Sequence, residues 1–175
     1  MWRRERRGAE GRKTAEVLDG AVGFVTHNNT GSGGDAVPID GVGSGSWPMG
    51  AAWLTLHLWD HYDLTGDRAF LGKRAYPVMK EAAEFLLDYL TADAGWHLIS
   101  GPSISPENRY RTAAAVEAQP CMGPYMAPEI PPPLSPRVMQ STASPGAAPA
   151  FPAHLLRARP PPPDLALGTP RHLAA

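Results

Sequence analysis

A chain of 175 residues has room for one domain of ordinary size and little more. It holds 18 glycines and 20 prolines, about 22% of the chain against an average near 12%; fifteen of the prolines fall in residues 120–175, which argues against a single fold running end to end. The net charge of −1 is segmented, with +2 over residues 1–19, −5 over 20–119 and +2 over 120–175, and an acidic middle disfavours nucleic acid as a partner.

No stretch of 18 apolar residues exists, so no transmembrane helix and no membrane partner are expected. The basic run Arg3, Arg4, Arg6 and Arg7 is interrupted by Glu5 and reads as a solvated terminus. No apolar stretch follows it, so no secretory signal is expected, and the compartment is left open. The single cysteine, Cys121, cannot close an internal disulfide and reads as a buried or spectator thiol.

In chain order, residues 1–20 are charged with a weak helical pattern toward Leu18. Residues 20–46 read as one long glycine-punctuated polar loop, with 36–40 its most apolar patch. A loop that long is uncommon unless functional or unstructured. A helix is expected over Trp47–Thr65, opening at Pro48 and apolar on two faces: Met49, Ala52, Trp53, Leu56 and Trp59 on one, Ala51, Leu54, Leu58 and Tyr62 on the other. Gly66 stops it, and Asp67 is placed to cap the next short helical piece. A further amphipathic helix should start at Pro77 and end near Ala92, with Val78, Ala82, Phe85 and Tyr89 as its stripe. Residues 96–100 suit a short extended piece, and Pro102 and Pro106 make 101–108 a stiff, non-helical loop. Another helix is expected to start within 113–126. From about Ala127 the pattern dissolves into proline and alanine, which reads as a disordered tail.

Few residue groups suggest chemistry by themselves. His57 and His61 are four apart on one helix, as zinc ligands can be, but Leu58 stands where a zinc protease needs Glu. They read as core or groove histidines, with no metal implied. Asn28-Asn29-Thr30 is a glycosylation triplet of a kind common by chance. Glu107, between Pro106 and Asn108, is a carboxylate on a stiff loop, open to two readings: an exposed loop residue or a general acid in a cleft.

Read together, six segments change the balance. They are His27-Asn28-Asn29-Thr30, Pro38-Ile39-Asp40-Gly41, Trp47-Pro48-Met49-Gly50-Ala51-Ala52-Trp53, His57-Leu58-Trp59-Asp60-His61-Tyr62, Thr65-Gly66-Asp67 and Pro102-Ser103-Ile104-Ser105-Pro106-Glu107-Asn108. In this order they resemble the family-95 glycoside hydrolases, the inverting α-L-fucosidases. The resemblance covers about residues 14–126, with Cys121-Met122-Gly123-Pro124 at its far end. The tail does not share it.

The resemblance implies an all-α fold, a fragment of an (α/α)6 barrel with long loops, followed by the proline-rich disordered tail. It implies hydrolysis of terminal α-L-fucosyl linkages with inversion, on a fucosylated oligosaccharide or glycan, without a cofactor or metal. Glu107 matches the family's general acid; His27, Asn29, Trp47 and Asn108 are the expected substrate-binding residues. The family's water-activating Asn-x-Asn pair and downstream Asp match nothing in this sequence. Gly31 and Gly33 stand where the family has Asp and an aromatic residue. The expected organisation is a charged extension (1–13), a partial catalytic domain (14–126) and the tail (127–175), inactive alone. The rival expectation is a non-catalytic helical interaction module, self-contained over residues 47–92, with a partner-binding tail.

Overall fold

The computed structural model describes residues 4–28, 33–92, 98–106 and 108–124. The expectation of a disordered tail therefore lies outside the described residues. Within them the fold is helix-rich, with four strands of two residues each.

The chain begins in helix α1 (Arg4–Thr14), which widens into a π-helical turn over Ala15–Asp19. Gly20, in the left-handed region at φ 64°, ends that turn and reverses the chain. Residues 21–28 then run extended between α1 and helix α5 (Tyr76–Tyr89). Val25 donates to Gly11 O on α1 (3.2 Å), and Phe24 donates to Glu81 O on α5 (3.3 Å). Side chains Ala21, Phe24, Val25, Thr26 and His27 are all buried. The first part of the expected polar loop is thus core. Gly23 makes this possible, with φ 81° and its Cα pressed against the α5 backbone at Glu81 and Phe85.

A single helical turn, α2 (Val42–Gly45), precedes α3 (Gly50–Thr65), which starts three residues after Trp47, where the sequence pattern opens. Gly66 closes α3 at φ 65°, donating to Tyr62 O (2.7 Å). Asp67 caps the next turn as expected, its Oδ1 accepting from Phe70 N (2.9 Å). Helix α4 (Arg68–Phe70) passes through a second π-helical turn, Leu71–Ala75, straight into α5. The wide turn lies just before Pro77, whose nitrogen has no hydrogen to donate to an α-type bond. The helix therefore runs on from residue 68, and Pro77 sits in the first turn of α5 itself.

Helices α3 and α5 pack on each other through small residues. Ala51 and Ala52 on one, and Ala82 and Ala83 on the other, are fully buried and let the backbones approach; Trp59, Met79, Phe85 and Leu86 fill the space beside them. The same cluster includes Phe24, Val25, Trp47 and Ile104. The 47–92 pair is therefore not a self-contained module, because loops before and after it complete its core.

Beyond α5 the structure departs from a purely helical reading. Strand β1 (Thr91–Ala92) pairs antiparallel with β2 (Leu98–Ile99). The expected helix within 113–126 does not start among the described residues 113–124. Strand β3 (Tyr110–Arg111) instead pairs with β4 (Glu117–Ala118) in a hairpin. Thr112 explains the difference. Its N–H donates to Val116 O (2.9 Å), its Oγ1 accepts from Val116 N (3.1 Å), and Ala115 takes the left-handed conformation at φ 59°. A threonine that binds the backbone on both sides of a turn competes with helix formation, and Pro120 prevents a helix from propagating.

Candidate functional site

Three loop segments converge at the N-terminal end of α3. Gly50, the first residue of α3, lies against the 26–27 backbone so closely that a Cβ there would stand 2.6 Å from Thr26 O and 2.8 Å from His27 O. Asn28 bonds the 43–48 segment twice, from its N–H to Gly45 O (3.3 Å) and from Nδ2 to Ser44 O (3.1 Å). Ser46 O accepts from Ile104 N (3.0 Å), which brings in the 101–108 loop.

That loop is fixed from three directions. Ser103 and Cys121 exchange backbone hydrogen bonds of 3.0 and 2.8 Å. The Tyr89 hydroxyl, at the end of α5, donates to Pro102 O (2.7 Å). Asn108 N donates to Ser105 O (2.6 Å). Ser103 and Ile104 are wholly buried, while Asn108 is exposed. Burial pushes the Tyr89 phenol up to about 12, helped by the nearby Asp19 carboxylate.

His27 is buried, with Nε2 3.3 Å from Oδ2 of Asp19, itself almost wholly enclosed. Among the described residues its Nδ1 has no hydrogen-bond partner, and the same holds for Thr26 Oγ1 and Trp47 Nε1. Trp47 is buried and packs edge-to-face on Trp53, with centroids 5.8 Å apart and planes at 72°. Its ring is a core element, and its indole N–H is the part left without a partner. Of the expected site residues, the structure thus brings His27 and Trp47 to one end of α3, with Asn108 on the adjoining loop. Glu107 and Asn29 lie outside the described residues.

Sequence reasoning missed Asp19, Asn28 and Tyr89. Asp19 carries no signal, because it meets His27 only after the chain reverses at Gly20. Tyr89 looks like one more member of an apolar stripe. His57 and His61 are exposed, contrary to the expectation of core or groove positions; His57 Nδ1 lies 3.6 Å from Asp60 Oδ2, and the His61 ring packs on Phe70 with centroids 4.2 Å apart and planes tilted at 52°. Four-residue spacing leaves both on the face of α3 turned away from α5. Among the described residues no group of three or more His, Cys, Asp or Glu is placed to hold a metal ion. None of the described helices is long and apolar enough to cross a membrane. Cys121 is half-buried, and burial pushes its thiol up, away from the reactive thiolate.

The profile of the glycosyl hydrolase family 95 catalytic domain matches residues 4–169. The chain belongs to this family. The match runs past both ends of the 14–126 span and takes in proline-rich residues that share none of the six motifs. Among curated proteins the chain is similar to "Alpha-L-fucosidase 2" of Arabidopsis thaliana, 42% identical over 101 residues, which is 57% of this chain and 12% of that protein. It is also similar to "Probable alpha-fucosidase A" of Aspergillus niger, 37% identical over 106 residues, 58% of this chain and 13% of that protein. The chain spans about an eighth of the length of these relatives.

Proposed function

We propose that this chain carries the general-acid side of an α-L-fucosidase site, built on a fragment of an (α/α)6 barrel. Glu107 protonates the leaving glycosidic oxygen of a terminal α-L-fucosyl linkage. His27, Asn29, Trp47 and Asn108 bind the sugar. The observation that carries this reading is the family match over residues 4–169, a span that takes in Ser105-Pro106-Glu107-Asn108, joined to the hydrogen bonds that tie this loop to the His27 and Trp47 segments at one end of α3. Residues 14–126 are its working part, and α3 and α5 are two of the barrel helices.

Inversion needs an activated water opposite the acid, with the two groups roughly 6.5–9.5 Å apart. The residues that would hold that water are the Asn-x-Asn pair and the Asp for which the sequence offers no match. The chain alone is therefore expected to bind a fucoside without hydrolysing it.

A graft tests the acid assignment. Residues 14–126 replace the matching stretch of the Arabidopsis relative, with and without Glu107→Gln. The substitution should lower kcat by roughly 10²–10⁴-fold on a fucoside with a poor leaving group. It should matter far less on an activated aryl fucoside, whose leaving group needs no proton. Equal losses on the two substrates would contradict a general-acid role.

A further inference from the structure

The site holds a buried hydrogen-bond partner that the fucosidase reading does not use. Asp19 Oδ2 lies 3.3 Å from His27 Nε2, and the two side chains are 7% and 2% exposed. An ionised carboxylate only accepts hydrogen bonds, so the proton of this contact sits on Nε2. Tyr89, which feels the Asp19 charge, has its hydroxyl hydrogen committed to Pro102 O at 2.7 Å. Asp19 therefore turns to His27 rather than to the phenol. The opposite ring nitrogen, Nδ1, is buried and has no partner among the described residues. Buried polar atoms in folded proteins almost always have one. Two more partnerless buried atoms belong to the same segments, the Thr26 hydroxyl and the Trp47 indole N–H. A sugar hydroxyl, which both donates and accepts, complements a bare imidazole nitrogen of this kind.

We propose that Asp19 is a positioning residue that holds His27 as its Nε2–H tautomer, so that Nδ1 accepts a hydrogen bond from a ring hydroxyl of the bound sugar. The logic is that of an acid–imidazole pair in which the buried carboxylate selects the tautomer and orientation of the ring. The sugar half rests on the fucoside reading above; the tautomer half stands on the Asp19 contact alone. Gly20 is what brings the two residues together, since its left-handed turn sends the chain back along α1.

Long-range proton–nitrogen NMR of the full ¹⁵N-labelled chain tests both halves. In the free protein the His27 ring should carry its proton at Nε2 and leave Nδ1 bare. Titration with L-fucose should move the Nδ1 resonance saturably and the Nε2 resonance little. In Asp19→Asn the amide can donate to Nε2, so the ring should shift toward the Nδ1–H form. Fucose affinity should then fall by about tenfold, the loss of one hydrogen bond with its partner left unpaired. Asp19→Glu should restore part of the Nε2–H population, which a purely structural contact would not require. A wild-type ring protonated at Nδ1 overturns the proposal without any variant having to fold. Fucose binding seen elsewhere in the spectrum, with Nδ1 unmoved, overturns the sugar contact but leaves the fucoside reading standing. No fucose binding at all overturns that reading and the contact together, leaving the tautomer to be judged from the free protein.

Discussion

At the scale of single residues, Tyr89 connects helix, loop and site. Its ring stacks on Phe85, with centroids 5.2 Å apart, and its hydroxyl donates to Pro102 O. Desolvation first, and the Asp19 carboxylate second, push its pKa up to about 12 from an ordinary value of 10.0. A raised pKa means that the folded state holds the proton more tightly than the unfolded chain. The stabilisation is therefore complete below pH 10 and is lost as pH rises toward 12. Tyr89→Phe should cost about 1 kcal/mol at neutral pH, the net worth of one hydrogen bond. It should also flatten the fall in stability between pH 10 and 12. Paired denaturant melts of the two proteins at several pH values measure both effects; parallel pH curves would refute the shift. The sequence placed Tyr89 correctly on the helix stripe but was silent on its hydroxyl, because a hydrogen bond to Pro102 depends on where the following loop returns.

At the scale of elements, the two long helices were legible and the loops were not. The apolar stripe of α5 and the caps at Gly66 and Asp67 follow from local chemistry, so residue types alone reveal them. The burial of residues 21–27 does not, since it depends on α1 and α5 closing on that segment from both sides. The same reason explains the hairpin at 110–118, where Thr112 and Ala115 form a turn in a stretch whose alanines favour a helix. The proposed site can be read in the sequence as motifs in order, whereas the meeting of their segments at the start of α3 cannot. Gly50 is the residue on which that assembly turns. Gly50→Ala should destabilise the chain by roughly 1–3 kcal/mol, because the added methyl meets two backbone carbonyls that cannot yield as a side chain would. Urea titration followed by tryptophan fluorescence measures it. A variant as stable as the parent would mean that α3 does not dock on residues 26–27 as described.

At the scale of the molecule, two helices with apolar surface on more than one side leave some of it uncovered. Trp53 on α3 is 51% exposed and Leu64 is 87% exposed. A helix pair whose neighbours belong to a larger all-α domain would leave such surface, in keeping with the barrel fragment proposed above. On the proposed reading, the long helices and the Glu107 motif make up one side of an inverting site. Catalysis by inversion takes two groups acting from opposite faces of the sugar, and removing one leaves binding without turnover. The most direct measurement of that claim is an assay of the purified full chain on an aryl α-L-fucoside, with Glu107→Gln alongside. The expected result is no release of the aryl group above the uncatalysed rate from either protein. Sustained turnover by the parent chain, abolished in Glu107→Gln, would contradict the account.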